Sequence, residues 1–161
     1  MEIAVTVALI AAVVALYAPL ANHRLASLRE KRARHAAACS AFRAGLLEAL
    51  RGLYPEPLDW PADPTDIVYV LEQRFAALQA AGAAFRPYLP WWRRWRFDQS
   101  WAEFRIGTPR RGDVARNFIH YLPDVHAGAA LMRRGGGEAL AGAQAAFRRN
   151  VARLLKSARF T

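Results

Sequence analysis

Cysteine is almost missing from this chain: Cys39 is the only one in 161 residues. That excludes an intrachain disulfide and any four-cysteine metal centre, and it fits a reducing compartment. Lysine is scarce too. Lys31 and Lys156 are the only lysines among 23 basic residues, so the positive charge rests on arginine. Strand patterns are lacking; the nearest is IVYVL at Ile67–Leu71, which sits better within a helical period. No repeat of fixed period occurs, which argues against a solenoid.

Catalytic signatures are missing as well. The run GGGEALAG at Gly135–Gly142 has neither the lysine and hydroxyl of a phosphate-binding loop nor a preceding strand. His23, His35, His120 and His126 lack the convergent spacing of a zinc site, so no metal is expected. His120 with Asp113 or Asp124, or His126 with Asp124, could form an acid–base pair. None of these pairs comes with a nucleophile and oxyanion donors, so the chain reads as non-enzymatic, with no catalytic residue and no cofactor.

What is present is apolar and basic. Hydrophobic residues make up 54% of the chain and charged ones 22%, enough to build a core, and the length suits one domain with an anchor. The formal net charge of +10 implies attraction to an anionic surface, either phospholipid or nucleic acid. The arginine and alanine bias is also what a GC-rich genome would produce.

From Ile3 to Ala21 the sequence IAVTVALIAAVVALYAPLA carries no charge. As a helix it is ~28 Å long at about 1.5 Å per residue, close to the hydrocarbon thickness of a bilayer. A core helix would show a polar stripe, and a signal peptide would open on a basic region. Here only Met1 and Glu2 precede the run. The expectation is an uncleaved transmembrane anchor over residues 1–21. Arg24, Arg29, Lys31, Arg32 and Arg34 follow it, offset by Glu30. They make residues 22–36 a basic juxtamembrane neck suited to anionic headgroups, and by the positive-inside rule they put residues 37–161 in the cytoplasm.

Past the neck the reading is all-α, a small helical bundle. Leu25, Leu28, Arg32, Ala36, Cys39, Phe42, Leu46, Leu50 and Leu53 follow steps of three and four, which predicts a core helix over Cys39–Leu53 continuing from the neck. A broken seam over residues 22–53 leaves an oligomer open. Four prolines between Tyr54 and Thr65 end that helix. A second opens at Thr65 or Asp66, with Ile67, Leu71, Phe75, Leu78, Ala81 and Phe85 facing inward. Short helices are expected from Asp113, with Val114, Phe118, Ile119 and Leu122 inward, and over Asp124–Arg133. After the break at Gly135–Gly137, Leu140, Phe147, Val151, Leu154 and Leu155 line a last helix whose outer side carries Arg148, Arg149, Arg153, Lys156 and Arg159.

The passage WWRRWRFDQSWAEFR concentrates four of the five tryptophans. At about 100° per residue its aromatics divide into two sectors. Phe97, Trp101 and Phe104 form the one expected in the core. Trp91, Trp92 and Trp95, with Arg93, Arg94 and Arg96, form a surface for the membrane interface or a protein partner.

FRPYLP at Phe85–Pro90 followed by FDQSW at Phe97–Trp101 resembles small single-span bacterial proteins of unknown function that carry an FRP-x-LP and FD-x-x-W pattern. The resemblance implies a bacterial inner-membrane protein, with a mobile-element or prophage neighbourhood, and no activity. Two readings follow: a membrane-anchored interaction or scaffold protein with its domain facing the cytoplasm, or a membrane-tethered nucleic-acid-binding protein.

Overall fold

The computed structural model describes the backbone of residues 2–63, 66–107, 116–122 and 136–159, and their side chains except at 2–14, 16, 18, 136, 138 and 139. The elements among the described residues are all helical, with no strand: α1 Glu2–Ala49, α2 Asp66–Phe85, α3 Trp91–Ile106 and α4 Gly136–Ser157, with 3-10 turns at Arg86–Tyr88 and Ile119–Tyr121. The chain forms two compact units, Met1–Ala37 and Ala38–Thr161.

The first unit lies within α1, which runs on through Pro19. Leu20, Leu25 and Leu28 are exposed on it. Among the described residues no helix is long and apolar enough to cross a membrane. Most side chains of the run Ile3–Ala21, where the anchor is expected, lie outside the described residues.

In the second unit the three- and four-residue spacing holds. Cys39, Phe42, Leu46, Leu50 and Leu53 are all buried. The helix itself stops at Ala49, four residues short of the expected end, and the chain turns through Gly52 at φ 80°. The Asp59 amide donates to the Gly52 carbonyl at 2.8 Å and closes that loop. Only glycine adopts this backbone without strain. The last turn of α1 carries no basic side chain of its own for its unsatisfied carbonyls. Arg74 of α2 supplies one, donating to the carbonyls of Ala49 at 3.2 Å and Arg51 at 2.8 Å.

Ile67, Leu71, Leu78 and Phe85 of α2 are buried as their spacing requires. Phe42, Phe85 and Phe97 then form an aromatic cluster with centroids 4.7 to 5.6 Å apart, in the stacked and edge-on geometries that ring quadrupoles favour. Trp101 lies over Gly82, where an added Cβ would already be in contact with the indole at 3.5 Å. Phe104 extends the cluster to Phe118, Tyr121 and Phe147.

Two motifs noted in the sequence come together here. Arg86 of FRPYLP donates through Nε and Nη2 to the two carboxylate oxygens of Asp98 of FDQSW, at 2.8 and 2.7 Å. This forked ion pair, with Phe85 and Phe97 buried beneath it, fixes the bend between α2 and α3. In this chain the two motifs meet at a structural joint.

The expected helix from Asp113 is corrected where it can be seen. Residues 108–115 and the segment Asp124–Arg133 lie outside the described residues. Phe118 adopts φ 63° and a 3-10 turn follows. With about three residues per turn, positions 118 and 121 share a side, so Phe118 and Tyr121 are buried while Ile119 is 41% exposed. An α-helical phase had placed Ile119 inward. The glycines before α4 also behave differently from expectation: Gly136 and Gly137 belong to the helix.

Candidate functional site

The tryptophan-rich helix separates as its helical phase requires. Phe97 and Phe104 are buried and Trp101 is half-buried, whereas Trp91, Trp92 and Trp95 are 77%, 56% and 60% exposed. Trp91 and Trp92 meet edge to face with centroids 6.0 Å apart. Three indoles are thus left exposed on one short stretch, although tryptophan is highly buried on average.

The three arginines of that stretch do not share one role. Arg94 donates through Nε to the Leu89 carbonyl at 2.9 Å and through Nη2 to the Pro87 carbonyl at 3.1 Å. It is therefore committed to the joint before α3. Arg93 and Arg96, with Ser100, form the α3 side of a cleft whose other side is Arg153, Lys156, Ser157 and Arg159. The cleft has a volume of about 350 Å³. Arg153 is held by Glu103 at 2.5 Å, and the Ser157 hydroxyl donates to the Leu154 carbonyl at 2.6 Å.

The basic half of this cleft on the last helix was visible in the sequence only as a charged outer face. Its meeting with Arg93 and Arg96 was not, because it depends on how α4 packs against α3. That packing has a polar pin. Asn150 donates to the Tyr121 hydroxyl at 3.1 Å, and the hydroxyl donates to the Phe104 carbonyl at 3.0 Å. Burial pushes the Tyr121 phenol well above its ordinary range, so it remains protonated and available as that donor.

The neck residues Arg24, Arg29, Lys31, Arg32 and Arg34 are all exposed on α1. At about 100° per residue they cover an arc of about 220°, more than one face of the helix, and leave the remaining side without a cation. Arg34 is paired with Glu30 one turn earlier. The residues considered for acid–base chemistry are not brought into a site. Asp113, Asp124 and His126 lie outside the described residues. His120 packs against Tyr121 with ring centroids 3.9 Å apart and planes tilted by 43°, neither ring nitrogen is hydrogen-bonded, and burial lowers its pKa to about 4. Among the described residues no group of three or more histidine, cysteine or acidic side chains is placed to hold a metal ion. Comparison with protein families, with curated proteins and with solved structures finds no match to this chain.

Proposed function

We propose that the protein is a membrane-anchored interaction protein. In this reading Ile3–Ala21 crosses the bacterial inner membrane with the N-terminus outside, the basic neck meets the cytoplasmic headgroups, and the compact helical unit presents the exposed face of α3 to the membrane interface or a protein partner. The observation that carries it is the exposure of Trp91, Trp92 and Trp95 on a helix whose other aromatics are packed. Indoles flanked by arginine suit a surface that is half apolar and half wet. The neck supports the same reading. Cations spread over more than half of a helix's circumference suit one that passes end-on through a headgroup layer, whereas a helix lying flat would carry them on a narrower side.

The test uses full-length protein in native membranes and in vesicles. The protein should resist carbonate extraction, and a C-terminal fluorescent fusion should glow while an alkaline phosphatase fusion stays inactive. With headgroup-level brominated lipids, tryptophan emission should be quenched in the wild type and much less in a W91A/W92A/W95A variant. Release by carbonate removes the anchor, an active phosphatase reverses the topology, and equal quenching removes the tryptophan interface.

A membrane-tethered nucleic-acid binder is the second reading, supported by the arginines beside exposed indoles on which bases could stack. It requires oligonucleotide binding that weakens steeply with salt.

A further inference from the structure

We propose that the cleft between α3 and α4 is a binding site for the phosphate of an anionic phospholipid headgroup. Five cationic side chains and two serines line it, and no carboxylate is among the lining residues described. Glu103 holds Arg153 from beside the cleft and offsets its charge. Like charges gathered in so small a space repel one another, and an anion placed among them removes that repulsion.

The geometry selects phosphate within the class of anions. Guanidinium groups offer paired N–H donors that match two phosphate oxygens, and Lys156 adds a compact point charge. The Ser157 proton is already committed to Leu154, so Ser100 is the hydroxyl left to donate. A volume of about 350 Å³ lies at the small end of ligand sites and admits a headgroup.

The lipid source follows from what lies next to the cleft. Taking about 100° per residue on α3, Arg96 is some 40° from Trp92, and Trp95 lies further round the same exposed side. A phosphate seated on Arg96 and Lys156 would place its glycerol and upper acyl carbons against indoles, which favour that layer of a membrane. A free phosphate ion has no use for them. Only this choice of source rests on the proposed tryptophan interface; phosphate recognition by the cleft does not.

The test uses full-length protein in micelles of an uncharged maltoside detergent, titrated calorimetrically with short-chain phosphatidic acid and short-chain phosphatidylcholine. Phosphatidic acid should bind at least tenfold more tightly. Arg96→Glu and Lys156→Glu, each at an exposed position and each checked for an unchanged melting temperature, should abolish that preference. Arg148→Glu, the same charge change on another flank of α4, should keep it. Equal losses in all three variants would replace the site with diffuse attraction and overturn the proposal. Inorganic phosphate binding as tightly as phosphatidic acid would overturn the lipid source. An oligothymidylate that binds more tightly and displaces the lipid would overturn it in favour of nucleic acid. The W91A/W92A/W95A variant keeps the two readings apart: unchanged bromolipid quenching counts against the tryptophan interface and the choice of lipid source that rests on it, whereas a preference kept in Arg96→Glu and Lys156→Glu counts against phosphate recognition by the cleft.

Discussion

His120 makes the stability of the compact unit depend on mildly acidic pH. Its ring lies against Tyr121, and both nitrogens are buried without a hydrogen-bond partner, so the neutral form is favoured and the pKa falls from 6.5 to about 4. The unfolded chain binds a proton near pH 6.5 while the folded chain resists it down to about 4, so acid in that window favours unfolding. The contribution is fully present above pH 6.5 and is lost as pH falls toward 4. At 1.36 kcal/mol per unit the full shift corresponds to about 3 kcal/mol, and because the ring is only half-buried, about 1 to 2 kcal/mol is expected. For a domain of this size that is a fall in melting temperature of roughly 5 °C. Thermal melts followed by near-ultraviolet circular dichroism at pH 7, 6, 5 and 4.5 would measure it, with His120→Phe as the reference because it keeps a ring there and cannot ionise. A parallel fall in the two proteins would refute the argument, as would a wild type that gains stability on acidification.

Three further expectations concern the frame of the compact unit. Phe104→Ala removes a fully buried ring that touches Trp101, Phe118, Tyr121 and Phe147, and should cost about 3 to 5 kcal/mol in denaturant unfolding. Gly52→Ala should cost more than about 1 kcal/mol, since its φ is +80° and the new Cβ would fall 2.0 Å from an Asp59 carboxylate oxygen; Asp59→Ala in the same chain should recover only part of the loss, because the backbone strain remains. The Arg86–Asp98 pair should show favourable coupling in a double-mutant cycle at neutral pH. Its hydrogen bond from Arg86 holds the Asp98 pKa below the ordinary carboxylate value, so the coupling should persist under mild acid and vanish once Asp98 is protonated.

How much was legible in the sequence differs from one element to the next. Ile67, Leu71, Leu78 and Phe85 could be placed in the core from spacing, because an α-helix turns by a fixed angle per residue and burial repeats with it. The same phase separated Trp91, Trp92 and Trp95 from Phe97 and Phe104 without any knowledge of neighbours. Phase failed where the backbone left the α-helix. Beyond Ala49 a left-handed glycine ends the helix while Leu50 and Leu53 stay buried, and at Phe118 a positive φ and a 3-10 turn exchange Ile119 for Tyr121. Neither departure leaves a periodic trace.

Sequence alone determined the all-α class, the inward faces of the long helices and the position of the basic and tryptophan-rich stretches, since each follows from local geometry and side-chain chemistry. Only the tertiary structure decided which charges act together. Arg93 and Arg96 stand some sixty residues from Lys156 and become neighbours through the packing of α3 on α4, while Arg94, between them in sequence, turns back to the carbonyls of Pro87 and Leu89. Charge has no period, so its grouping is set by what the apolar faces bring together.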